Sequence, residues 1–230
     1  NKEKNLHHYA SLISCIDNSD IILLPEMFNT AFCPDSIDLS ETMTGKTVKW
    51  MQQTALKKNS ALTGSLMIKE NNKIYNRAIW VSKNGEVFKY DKRHLFSLVK
   101  EDQFLTAGTK RIIVDVEGWK ICPLICYDLR FPVFSRNNVN YDVLIYLANW
   151  PVKRIDAWDT LLKARSIENQ CYTVGVNRIG IDANKIPFNG KSKAYDAFGN
   201  KIFDAKENID NIFDLRLSSK DLKLKRRPMN

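Results

Sequence analysis

The sequence predicts a layered α/β fold, with helices outside and sheet inside. Three observations carry this. Ile21-Ile22-Leu23-Leu24 and Val143–Leu147 are short, wholly apolar runs, as in strands covered on both faces. Leu6, Tyr9, Ala10 and Ile13 recur at helical spacing, and a longer helical segment spans Ile155–Asn169. Asn84-Gly85 and Glu117-Gly118 are turn signals between apolar runs, so hairpins stand beside the helix–strand alternation.

In chain order, residues 2–15 read as an amphipathic helix and Asp20 as the turn into a strand over Ile21–Leu24, which Pro25-Glu26 ends. Residues 27–43 are irregular and hold the aromatic and small side chains of a pocket loop. Lys46–Lys58 reads as a helix with Val48, Met51, Ala55 and Leu56 inward. Thr44-Gly45-Lys46-Thr47 resembles the end of a phosphate-binding loop. That motif needs glycine five residues before Gly45, where Ser40 stands, and no strand leads into it. Strands are expected over Ala61–Ile68, Ile74–Ser82 and Glu86–Tyr90, then a polar loop to Thr109. Ile112–Val116 and Lys120–Ile125 form a second hairpin. Pro132–Asn138 is a short helix, Val143–Leu147 a buried strand broken by Ala148-Asn149-Trp150-Pro151, and Tyr172–Val176 a strand. Residues 178–190 read as a loop. Lys193–Tyr195 and Lys201–Phe203 pair across Phe198-Gly199-Asn200, and Ile212–Leu217 is the last strand.

The 230 residues suffice for one sizeable core, and no Pro/Gly/Ser-rich linker divides them. No run of about 18 apolar residues exists, so a membrane-spanning role is not expected. Five cysteines, without disulfide or metal spacing, fit a reducing cytoplasm. Cys122 and Cys126 share a strand face but lie roughly 13 Å apart, too far for one metal ion. No metal and no cofactor is expected. The net charge of +9 raises nucleic acid as a partner. The lysines are spread along the chain, however, and only Lys223-Leu224-Lys225-Arg226-Arg227 is dense. A solvated basic surface is the favoured account, with a basic nucleic-acid-binding protein as the alternative of a different class.

The residues that can carry chemistry stand at strand ends, where α/β folds bind ligands. Cys126 follows the apolar run Ile121–Ile125 and precedes Tyr127-Asp128-Leu129-Arg130-Phe131-Pro132. A thiol at such a corner is held still by the strand beneath, and a following helix N-terminus favours its thiolate. The bland alternative is a small buried hydrophobe. Glu26 and Lys92 also end strands. Taken singly, each reads as a surface residue.

Together they match a pattern. Leu24-Pro25-Glu26-Met27-Phe28, Tyr90-Asp91-Lys92-Arg93-His94-Leu95-Phe96 and Leu124-Ile125-Cys126-Tyr127-Asp128-Leu129-Arg130-Phe131-Pro132, in this order, resemble the motifs of the nitrilase (carbon–nitrogen hydrolase) superfamily. Ala148-Asn149-Trp150-Pro151 and Gly190-Lys191-Ser192 resemble later blocks of that family. Within it the chain is most similar to the bacterial ω-amidases, relatives of nitrilase-like protein 2.

The resemblance implies a four-layer αββα sandwich and one carbon–nitrogen hydrolase domain over 1–230. That domain would lack the usual N-terminal strand and part of the C-terminal extension. It implies Glu26 as general base, Cys126 as nucleophile and Lys92 as stabiliser of developing negative charge. Glu101, seven residues before Gly108, takes the place of a further family glutamate that orients the lysine or assists at the leaving group. It also implies a homodimer or larger homo-oligomer. The expected substrate is a small-molecule amide, the ω-amide of a short dicarboxylic acid such as 2-oxoglutaramate or 2-oxosuccinamate. Another amidase, carbamoylase or nitrilase activity is the alternative within the family.

These residue types suit amide hydrolysis, which needs a nucleophile, a proton carrier and an oxyanion donor. The backbone N–H of Tyr127 joins Lys92 as a candidate donor. Phe28 and Trp150 read as pocket walls or as core. Asp128 and Arg130 read as fixing the turn, Arg165 as a helix salt bridge, and His94 as loop support.

Overall fold

The computed structural model describes residues 1–226. Two units each carry their own sheet, Asn1–Ile112 and the chain from Ile113 onward.

In the first unit α1 (Lys2–Ser14) is capped by Asn1, whose side chain accepts from the Lys4 N–H. It is followed by β1 (Ile21–Leu23), α2 (Lys46–Lys58), β2 (Ala61–Glu70), β3 (Lys73–Val81), β4 (Val87–Asp91) and the one-turn α3 (Glu101–Phe104). The sheet order is β1-β2-β3-β4, with β1 parallel to β2 and the rest antiparallel. Leu6 and Ile13 of α1 and Val48, Met51 and Ala55 of α2 bury against Ile22, Leu62, Leu66, Ile79 and Val81 of the sheet. Leu56, expected inward, is 55% exposed. One residue past Ala55, it has turned about 100° from the buried stripe. The Asn84-Gly85 turn forms as expected, with Gly85 at φ +82° donating to the Ser82 carbonyl.

The apparent phosphate loop has a structural answer. Gly45 is the N-cap of α2, and the Glu41 carboxylate occupies the helix N-terminus. It accepts from the Thr47 N–H (2.8 Å) and hydroxyl (2.6 Å), and from Lys2 Nζ and Asn29 Nδ2. The chain thus supplies its own anion where a phosphate would sit.

The second unit comprises β5 (Val114–Val116), β6 (Trp119–Ile125), α4 (Pro132–Ser135), β7 (Val143–Ala148), α5 (Ile155–Asn169), β8 (Tyr172–Asn177), β9 (Ile179–Ile181), β10 (Pro187–Asn189), β11 (Lys193–Tyr195), β12 (Lys201–Asp204) and α6 (Ser219–Lys225). Its main sheet runs β12-β11-β8-β7-β6-β5, with a parallel centre of β6, β7 and β8. The apolar run Val143–Leu147 lies in that centre, buried on both faces, whereas Ile21–Leu24 supplies β1 at the edge of the first unit's sheet, where Ile21 and Leu23 are only half-buried. Helix α5 packs closely on β8. A Cβ on Gly175 would come within 2.5 Å of Trp158 and 2.6 Å of Leu162.

Three expectations fail here. Residues 178–190 contain the hairpin β9–β10, with Ile179 opposite Asn189. The anticipated strand over Ile212–Leu217 does not form. Phe213 instead rests on Phe203 by ring contact (5.6 Å), without ladder bonds. The chain then enters α6, which the sequence reading missed although Ser218 caps it by accepting from the Asp221 N–H. The short helix expected to Asn138 ends at Ser135, and Asn137 turns its amide to the Tyr141 and Asn169 carbonyls.

Candidate active site

Glu26 follows β1 directly, Lys92 follows β4, and Glu101 opens α3. All three are buried, with side chains 0–1% exposed. Lys92 Nζ lies 2.8 Å from Glu26 Oε1 and 2.9 Å from Glu101 Oε2. Its ammonium also sits over the Phe32 ring, 5.4 Å from the centroid. Two carboxylates thus face one ammonium in a buried site. Such a set favours keeping one proton on a carboxyl. Burial pushes the Glu101 carboxyl above its ordinary range, Lys92 pulls the other way, and Glu26 adds to the rise. The Phe96 N–H donates to Glu101 Oε2 at 2.6 Å, so the loop after Lys92 is tied to the same carboxylate.

The sequence reading did not pick out Asn76. Its Nδ2 donates to Glu26 Oε1 (2.8 Å) and to Glu101 Oε1 (3.0 Å). Its Oδ1 accepts from the Ser65 hydroxyl (2.8 Å), which in turn accepts from the Met27 N–H (2.9 Å). The available signal was a polar side chain in each of two neighbouring strands, Ser65 in β2 and Asn76 in β3. His94 is half-buried in the loop after β4.

In the second unit, Cys126 ends β6 and begins a 3₁₀ turn over Cys126–Arg130. Its φ is +41°, a left-handed conformation that costs a non-glycine residue about 1 kcal/mol or more. Asp128 holds the turn by accepting from the Ile125 N–H (3.0 Å). Cys126 Sγ lies 3.8 Å from the Asn149 carbonyl oxygen at the end of β7, within hydrogen-bonding range for sulfur. The anticipated helix N-terminus behind the thiol is absent. The turn spans five residues and α4 only four, too short for much of a dipole.

The remaining candidates separate by environment. Phe28 packs in the first unit's core between Tyr9 and Trp50, and its ring would be 2.7 Å from a Cβ on Gly64. Tyr127 is half-buried and meets Phe131 edge to face. Trp150 is buried, its backbone N–H on Asn177 Oδ1 and its Nε1 on the Arg154 carbonyl, with the Arg130 guanidinium over its ring. Arg165 is buried and holds the Leu129 carbonyl and Glu168. Two residues of the basic run are already paired, Lys225 with Asp196 and Arg226 with Asp142. Arg227 lies outside the described residues.

Comparison with known proteins agrees with the motifs. The carbon–nitrogen hydrolase family profile matches residues 1–227. An Escherichia coli protein named ω-amidase YafV is 41% identical over 93% of this chain and 83% of its own length. A Bacillus subtilis 2-oxoglutaramate amidase is 34% identical over 79% of this chain and 72% of its own. A Xanthomonas campestris CN-hydrolase superfamily protein, solved with an arsenic adduct in its active site, superposes with a TM-score of 0.95. It is 36% identical and covers 98% of this chain and 88% of its own. The chain therefore belongs to the carbon–nitrogen hydrolase family of the nitrilase superfamily, α/β enzymes that hydrolyse carbon–nitrogen bonds other than peptide bonds.

Proposed function

We propose that this enzyme hydrolyses the ω-amide of a small dicarboxylic acid, of the 2-oxoglutaramate or 2-oxosuccinamate type, through a thioester on Cys126. The observation that carries the reading is the buried ammonium of Lys92 held between Glu26 and Glu101. Relatives carrying ω-amidase and 2-oxoglutaramate amidase names support the substrate class.

In this reading Glu26 takes the Cys126 thiol proton as sulfur bonds to the amide carbon. Lys92 and the Tyr127 N–H stabilise the oxyanion. Collapse of the tetrahedral intermediate breaks the C–N bond, and Glu26 returns the proton so that ammonia leaves. Water, deprotonated by Glu26, then adds to the thioester. The C–S bond breaks, the acid departs and the thiol is regenerated. Glu101 keeps Lys92 charged and oriented. Tyr127 and Trp150 border the substrate, and Phe28 supports the Glu26 segment from the core. The same reading places the enzyme in the cytoplasm as a homodimer or larger homo-oligomer. No helix among the described residues is long and apolar enough to cross a membrane.

Ammonia release should be measured at equal concentrations of 2-oxoglutaramate, 2-oxosuccinamate, glutamine, a simple aliphatic amide and a nitrile. The 2-oxo ω-amides are expected to give the highest kcat/KM. A nitrile or uncharged amide in first place overturns the substrate assignment.

A further inference from the structure

We propose that Asn76 is the positioning residue of the acid–base site, holding the Glu26 and Glu101 carboxylates and the Lys92 backbone in one frame while Ser65 fixes its amide. This rests on the amidase reading for its effect on turnover.

The frame closes on itself. The Met27 N–H, next in the chain after Glu26, donates to Ser65 Oγ. The Ser65 hydroxyl donates to Asn76 Oδ1, and Asn76 Nδ2 donates to Glu26 Oε1. The Glu26 side chain is thus pinned to its own neighbouring peptide through two strands. Met27 has φ +42° and is fully buried, a strained conformation that the surrounding structure must enforce. The second bond from Asn76 Nδ2 reaches Glu101, and the Asn76 carbonyl accepts from the Lys92 N–H at 2.9 Å.

Ser65 determines what Asn76 can offer. Because the hydroxyl donates to Oδ1, only the NH2 side faces the carboxylates. Asn76 and Ser65 are both fully buried, so no bulk water replaces a lost donor. The charged groups facing Glu101 are Lys92, after β4, and Glu26, after β1. Asn76 from β3 and the Phe96 N–H add neutral donors. Asn76 therefore lets two carboxylates share one ammonium without adding charge.

The test uses the full chain as wild type, Asn76→Ala, Asn76→Asp and Ser65→Ala, with near-UV circular dichroism to verify folding. Readouts are the pH profile of ammonia release from 2-oxoglutaramate and ¹³C-carboxyl NMR titration of the glutamates. Asn76→Ala is expected to lower kcat by about 10- to 100-fold, the value of a hydrogen bond to a charged group, with KM little changed. Its acid limb should move to higher pH and the Glu101 titration midpoint should rise. Asn76→Asp keeps the shape but donates only while protonated, so its alkaline limb should move to lower pH. Ser65→Ala should shift the same limbs by less, and it carries the test if the Asn76 variants do not fold. Unshifted limbs and midpoints in folded variants, or an equal loss at every pH, overturn the positioning role. A wild-type chain that releases no ammonia overturns the amidase reading instead, and the NMR midpoints still decide the role of Asn76.

Discussion

Gly108→Ala tests how the Lys92 backbone is held. The Gly108 N–H donates to the Lys92 carbonyl at 2.9 Å. An added Cβ would stand 2.1 Å from the Asp91 carbonyl oxygen, 2.7 Å from Asp91 Cβ and 2.8 Å from its carbonyl carbon. Non-bonded contacts settle near roughly 3.5 Å, so one segment must retreat by about 1 Å. Asp91 cannot retreat freely, because Arg77 grips both of its carboxylate oxygens, at 2.5 and 2.9 Å. The displacement therefore falls on the peptide leading to Lys92. Overpacking of this kind costs about 1–3 kcal/mol of stability. A misplacement of about 1 Å at a catalytic group costs about 100-fold in rate. Kinetics on 2-oxoglutaramate and thermal denaturation of the same preparation should show both losses. Because Gly108 does not have a positive φ, the demand is steric and not conformational. Wild-type kcat/KM and Tm in Gly108→Ala would refute the reasoning.

Two further substitutions probe the site's chemistry. Cys126→Ala and Cys126→Gly should both fold and both lose turnover. At φ +41° the Gly variant should be at least as stable as the Ala variant, reversing the usual preference for Ala of about 0.5–1 kcal/mol. Urea denaturation decides this, and an Ala variant more stable by the usual margin would mean that the turn relaxes. Lys92→Met should destabilise the fold by about 3–5 kcal/mol near neutral pH, because it leaves two buried carboxylates without their cation. The sign follows from Glu101. Its carboxyl is raised, so its contribution to stability is complete below the unfolded value of about 4.3 and is lost as pH rises through the folded value. Removing the ammonium raises it further, so the Tm difference from wild type should be small at pH 5 and large at pH 8. Equal differences at both would show that Lys92 does not neutralise the pair.

Most of the scaffold was legible because its signals are local. The apolar runs Ile121–Ile125 and Val143–Leu147 marked β6 and β7, Asn84-Gly85 marked the β3–β4 turn, and helical periodicity gave α2 and α5 their ends. Two of the failures had no local signature. Residues 179–189 hold Gly180 at φ +98° and Lys185 at φ +61°, and their pairing is a two-stranded hairpin outside the main sheet. Residues 212–217 have the alternation of a strand but no partner strand to complete it, and alternation alone does not supply one.

The acid–base cluster divides along the same line. Glu26, Lys92 and Glu101 were legible only through the family motifs: Glu26 and Lys92 end strands but singly read as surface residues, and Glu101 came from its spacing to Gly108. Asn76 was not legible, because its role depends on register. Met67 pairs with Asn76, and β3–β4 pairing begins only at Arg77 opposite Asp91. Successive residues of a strand point to opposite faces. Asn76 therefore faces Glu26 and Glu101, while Arg77 next to it faces away and grips Asp91 and Glu70. The two faces hold Lys92 from opposite sides: Asn76 bonds its N–H and the carboxylates on its ammonium, and Arg77 anchors the residue before it. A one-residue slip of β3 against β2 would exchange these roles and place a second cation, Arg77, against Lys92. The long β2–β3 ladder, nine pairs from Leu62↔Val81 to Glu70↔Lys73, opposes that slip. The register of this hairpin therefore sets the polar network around Glu26, Lys92 and Glu101 through Asn76 and Ser65.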